Sequence, residues 1–137
     1  MNSFGARPQR TIQQISRTVL DCAMRVHTAL GPGLLESAYE ACLAEELRLS
    51  GLSVEVQVPV PVVYKGVKLD AGYRIDLLVD GRVVVEVKSV ETIAPVHKAQ
   101  TLTYLRLSGK CLALLINFNV VHLKEGIKRF VMGDGWK

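Results

Sequence analysis

A chain of 137 residues and 15.1 kDa has room for one hydrophobic core and little more. With 49% hydrophobic and 22% charged residues and a mean hydropathy of +0.23, it is too apolar for a disordered chain. Its longest apolar runs, such as Cys111 to Ile116, stop far short of the roughly 18 to 20 residues a membrane-spanning helix needs. The net charge of +4 is unevenly spread. Residues 1–35 carry four Arg and one Asp, residues 36–91 six basic and ten acidic side chains, and residues 92–133 six basic and one acidic. An acidic middle between basic flanks suits a cation at the centre and a polyanion across it, and equally a solvated surface of scattered charge.

Residues 1–10 read as a polar, flexible arm without the apolar stretch of a secretory signal, so the expected location is cytoplasmic. Residues 11–137 then form a single domain. Thr11 to Gln14 match a capping box, and Ile12, Ile15, Val19, Cys22, Ala23, Val26 and Leu30 recur at helical spacing. Gly31-Pro32-Gly33 breaks this helix, and Leu35, Ala38, Tyr39, Cys42, Leu43 and Leu47 restart the period until Gly51. Cys22 and Cys42 fall on these apolar stripes and, with Cys111, read as buried reduced thiols. From Val54 to Val62 every second residue is Val, which predicts a strand, and Pro59 and Pro61 require it to have a free edge. Tyr73 to Val79 and Arg82 to Lys88 predict two strands around Asp80-Gly81. Pro95 opens a third helix that Gly109 stops, Cys111 to Phe118 reads as a buried strand, and Lys128 to Met132 as a short last one. The order α-α-β-β-β-α-β-β makes an α/β (mixed α+β) fold, a mixed sheet flanked by helices.

Charged side chains interrupt two of these strands. Glu86 and Lys88, two apart, share one face of a strand otherwise made of valine, and Asp76 breaks into the strand before it. Whether Asp76 and Glu86 meet is a question of parity. A two-residue loop pairing Val79 with Arg82 sends them to opposite faces, whereas a three-residue loop with Gly81 left-handed sets Asp76 across from Val84 and diagonal to Glu86. The second register, or another shift of the same parity, is expected. Two carboxylates and an ammonium so placed suit Mg²⁺-assisted hydrolysis of a phosphodiester. Asp76, Glu86 and the Val87 carbonyl supply the oxygen donors, and Lys88 orients the attacking water or offsets charge growing on the phosphorane.

Asp76, nine intervening residues and Glu86-Val87-Lys88 resemble the PD-(D/E)XK nuclease superfamily, with Ile75 where its proline would stand. Gly33, Glu36 and Tyr39 reproduce the signature of its GxxExxY family, and Gln100 to Tyr104 resembles the QxxxY motif of its RecB-like branch. The resemblance spans roughly residues 11–132. It implies a restriction-endonuclease-like α-β-β-β-α-β core and a metal-dependent nuclease site. Asp76, Glu86 and Lys88 stand at its centre, Glu36 adds an acid and a further metal ligand, and Gln100 and Tyr104 lie at the rim. Mg²⁺ is the implied cofactor, with Mn²⁺ substituting, and DNA the implied partner.

Each accessory residue also has a plainer role. Glu36 in a first helical turn gains roughly 0.3 to 1 kcal/mol from the macrodipole alone. Tyr39 lies on an apolar stripe, and Gln100 and Tyr104 are ordinary neighbours one turn apart. His97 faces the site or solvent. Lys98, Arg106, Lys110, Lys124, Lys128 and Arg129 are the candidates for phosphate contacts. A domain this small gains from a second copy around its substrate, so a homodimer is plausible. The alternative function is a catalytically silent nucleic-acid-binding or protein-interaction module on the same fold.

Overall fold

The computed structural model describes residues 9–137. The expected arm thus lies outside the described residues up to residue 8. Arg10 is tied down: its guanidinium pairs with Asp80 at 3.3 Å and donates to the Gly51 carbonyl.

Ten helices and strands run along the described residues. They are α1 (Ile12–Leu30), α2 (Glu36–Leu49), β1 (Val54–Pro59), β2 (Val62–Tyr64), β3 (Val67–Leu69), β4 (Arg74–Val79), β5 (Val83–Lys88), α3 (Pro95–Ser108), β6 (Leu112–Asn117) and β7 (Ile127–Val131). A single 3-10 turn, Leu123–Gly126, precedes β7. The capping box at Thr11 is formed as expected, with the Thr11 hydroxyl accepting from the Gln14 amide and the Gln14 side chain accepting from the Thr11 amide. Gly109 ends α3 in the left-handed conformation.

Five strands form one sheet in the order β1-β4-β5-β6-β7. β1 is an edge strand, as Pro59 at its end allows. β4 and β5 are antiparallel neighbours, whereas β5 and β6 run parallel, the crossover between them being α3. Alternation along β5 sends Val83, Val85 and Val87 to one side, into a core with Ile15, Val19, Tyr39, Leu43 and Leu47 of α1 and α2. Val84 points to the other side, into a smaller core with Leu78, Ala113 and the α3 residues Tyr104 and Leu105. The result is three layers with β5 in the middle.

Three expectations need correction. The run of alternating valines is not one strand: it ends at Pro59, and residues 62–69 form a separate hairpin, β2–β3, turned by Lys65 and Gly66 at positive φ. Cys42 is exposed, since it faces outward from α2 where Leu43 faces in. The β4–β5 register is Val79↔Val83, Leu78↔Val84, Leu77↔Val85, which places Asp76 across from Glu86 rather than from Val84. The loop is Asp80-Gly81-Arg82, with Asp80 as well as Gly81 at positive φ, and the shift keeps the parity that brings the two carboxylates together.

Candidate active site

The β4–β5 ladder ends at Leu77↔Val85, and there the carboxylates take over from the backbone. The Asp76 amide donates to Glu86 Oε2 at 3.0 Å, and the Val87 amide donates to Asp76 Oδ2 at 2.8 Å. Amides that would otherwise be orphaned as the strands part are thus satisfied by the acids, each of which also orients the other. Glu86 is only 4% exposed. Burial pushes its carboxyl up to about 8, the charge of Asp76 pushes in the same direction, and the Asp76 amide and Lys88 only partly oppose them. Asp76 is also raised by burial, against hydrogen bonds from Val87 and Gln57 and the charge of Lys88.

Helix α2 brings two further acids. Glu36, in its first turn, accepts from the Ser89 amide at 3.3 Å, so it fastens α2 to the chain just beyond Lys88. Ser89 Oγ strengthens the junction by donating to the Leu34 carbonyl at 2.6 Å. Glu40, one turn later, is raised by burial and by the charges of Asp76 and Glu36. The Gln57 amide sits between them, with Nε2 2.6 Å from Glu40 Oε1 and 3.2 Å from Asp76 Oδ1. Gln57 has φ +54°, and the β1–β4 ladder skips the pair Gln57–Asp76. A non-glycine residue in that conformation costs energy, here offset by a side chain that serves two carboxylates.

Tyr39 fixes the corner before α2. Its ring stacks on Phe118 at 4.6 Å, and its hydroxyl donates to the Gly31 carbonyl while accepting from the Leu34 amide at 3.1 Å. Tyr39 thus ties the corner at Gly31 and Leu34 to the helix whose first turn presents Glu36. On the other side of the sheet, Tyr104 is buried in α3. Its hydroxyl pKa is raised by burial and by the charges of Glu86 and Asp76, with Gln100 opposing the shift through a hydrogen bond. Tyr104 therefore feels the charge of the carboxylates, and Gln100 reaches the Tyr104 hydroxyl. His97 turns instead to its own helix end, where Nδ1 accepts from the Ala94 amide at 3.0 Å.

The basic candidates divide. Lys98 and Lys128 line one cavity of about 320 Å³ with Asn117, Glu91 and Glu125. Arg106 is exposed on the last turn of α3, and Lys110 is half-buried. Lys124 borders a different hollow, with His27 and His122. Arg129 is paired with Leu114, on the α1 side of the sheet, and there it donates to Gln13 and lies over the Trp136 ring. It is not brought to the carboxylates.

Among the described residues, no group of three or more acid, His or Cys side chains stands ready-made as a metal-ligand set. The donor chemistry nonetheless fits a hard divalent cation, because Glu36, Glu40, Asp76 and Glu86 offer carboxylate oxygens alone and crowd one another electrostatically. Sequence reasoning missed Glu40 and Gln57. The spacing of Glu36 and Glu40 puts both on one helix face and was a usable signal, whereas nothing in the sequence marks Gln57.

No helix among the described residues is long and apolar enough to cross a membrane. No curated protein or solved structure matches the chain. A family model does match it, over residues 13–130, a span that runs from the first turn of α1 into β7 and contains every carboxylate described above. On that match, and with a five-stranded mixed sheet flanked by helices, the chain belongs to the PD-(D/E)XK nuclease superfamily.

Proposed function

We propose that the protein is a Mg²⁺-dependent nuclease that hydrolyses phosphodiester bonds in DNA. The observation that carries this reading is the meeting of Asp76 and Glu86 at the open end of β4 and β5, with Lys88 next on the same strand face. Asp76, Glu86, the Val87 carbonyl and Glu36 would hold the ion. When bound, it supplies Lewis-acid polarisation of the phosphate and a nucleophile at neutral pH. Lys88 orients the attacking water and offsets negative charge in the transition state. Gln100 positions a water or a phosphate oxygen from the α3 side, and Tyr104 lies at the rim of the same site. Lys98, Lys128 and Arg106 contact the backbone of the nucleic acid. Gly33, Glu36 and Tyr39 support placement in the GxxExxY family, and Gln100 and Tyr104 support the RecB-like feature.

One observation favours a second reading, a catalytically silent nucleic-acid-binding or protein-interaction module. The Gln57 amide already joins Glu40 to Asp76, as a cation would. Mn²⁺ titration by calorimetry separates the two. The nuclease reading expects saturable binding by the wild type, loss of it in Asp76→Asn and Glu86→Gln, and Mg²⁺-dependent cleavage of DNA that the same variants lack. No binding in the presence of a short DNA duplex, or binding unchanged in the variants, supports the silent module.

A further inference from the structure

The β2–β3 hairpin pairs with no other strand of the described residues. Its register places Val62, Leu69, Tyr64 and Val67 on one face and Val63 and Lys68 on the other. The first face is apolar and uncovered, with Tyr64 64%, Val67 57% and Leu69 48% exposed. A lone two-stranded hairpin of this kind is marginal in water, so the uncovered face calls for a partner. Its charge selects which one. Residues 60–69 contain Lys65 and Lys68 and no acid, Lys65 stands 5.4 Å from the centre of the Tyr64 ring, and Asp70 just beyond is paired with Arg74 at 3.6 Å. The hairpin thus carries two positive charges with no acid of its own to compensate them, which a polyanion would neutralise and a second copy, equally basic there, would not.

The hairpin also leaves the sheet at the end of β4 that carries Asp76, since it joins Pro59 of β1 to the start of β4, where those two strands pair. It leads straight into β4, whose third residue is Asp76, and the Tyr73 ring between them lies 6.0 Å from the ring of Tyr104. Carboxylates at that end of the sheet repel a phosphate backbone, and the lysines of the hairpin supply the attraction they lack. We infer that β2–β3 is an arm that holds a polynucleotide strand at the carboxylate end of the sheet, with a base stacked on the Tyr64 face and the phosphate backbone passing over Lys65 at the turn to Lys68 on the opposite face. This inference rests on the nuclease reading for its substrate class. The hairpin, however, can be tested without cleavage.

The experiment is fluorescence anisotropy of a fluorescein-labelled oligonucleotide, single-stranded and duplex, titrated with the full chain in EDTA over a series of salt concentrations. Tyr64→Ala should weaken binding about 5- to 150-fold, the range of a lost base–aromatic stack. Lys65→Glu with Lys68→Glu should weaken it at least about tenfold and take roughly 1.4 to 1.8 off the salt slope, whereas the double Arg variant keeps both. An unchanged thermal midpoint shows that the fold is intact. Affinity unaltered in the Tyr64 and Glu variants, or no oligonucleotide binding by the wild type, overturns the inference. So does a wild-type dimer that Tyr64→Ala dissociates at unchanged oligonucleotide affinity, because the face then joins two copies. If the wild type binds through the hairpin yet cleaves nothing with Mg²⁺, the arm stands and the nuclease reading falls. If it cleaves while binding independently of the hairpin, the nuclease reading stands and the arm falls.

Discussion

Glu86→Gln should make the metal-free protein more stable, increasingly so as pH rises. Glu86 is 4% exposed, and its carboxyl is pushed from 4.5 up to about 8 by burial first and by Asp76 second. Between those values the folded chain holds a proton that the unfolded chain has released, so stability falls as pH rises through the window. With one pKa unit worth about 1.4 kcal/mol, the cost to the wild type is roughly 1 kcal/mol at pH 5 and roughly 4 kcal/mol at pH 8. Glutamine removes the titration and keeps an oxygen to accept the Asp76 amide, so the variant should escape most of that cost. The assay is urea unfolding of both proteins in EDTA at several pH values from about 5 to about 8, compared by midpoint at constant m. Parallel stability curves for the two proteins would refute the reasoning, because they would mean that Glu86 ionises at an ordinary pKa and that the acids are not crowded.

A divalent ion takes the deprotonated carboxylates, so Mn²⁺ at about 100 times its Kd should stabilise the wild type by about 2.7 kcal/mol. The apparent affinity should rise with pH up to the pKa of Glu86, and thermal melts with and without Mn²⁺ check both. Tyr39→Phe keeps the stack on Phe118 but leaves the Gly31 carbonyl and Leu34 amide without their hydroxyl partner, so urea unfolding should show a loss of about 1 to 3 kcal/mol. Gly126→Ala should be among the most damaging single changes, since its Cβ would lie 2.2 Å from the Asn117 carbonyl oxygen. We expect a loss above about 2 kcal/mol, read from the thermal midpoint, with Asn117 and the 3-10 turn forced apart.

Local rules were strong enough to reveal most of the frame. The capping box at Thr11, Pro59 of the edge strand, Pro95 and Gly109 around α3, and the apolar run of β6 each name their element without tertiary information. Parity alone brought Asp76 and Glu86 to one face, although it left the register two residues short of the direct pairing that forms. The hairpin β2–β3 was hidden because valine alternation continues through Pro59-Val60-Pro61, and only Lys65-Gly66 marks the turn. Glu40 reads in sequence as one more solvated acid on a helix. It becomes part of the site only because Gln57, at a backbone angle no propensity foretells, reaches across to it. Arg129 misled for a related reason: which side of β7 a basic residue takes follows from pairing with β6, and that register is a tertiary property.

The four carboxylates come from α2, β4 and β5, and β5 lies between β4, which precedes it in the chain, and β6, which follows only after α3. A chain emerging from the ribosome therefore presents all four acids well before residues 112–117 arrive to flank β5 on its second side. Until β6 arrives, β5 lacks its second neighbour and the side chains Leu112, Leu114 and Ile116 that share a core with Val83, Val85 and Val87. A chain cut between α3 and β6 would keep every acid and lose the arrangement. The carboxylates are thus the first part of the site to be made, and β6, which gives β5 its second neighbour, comes among the last.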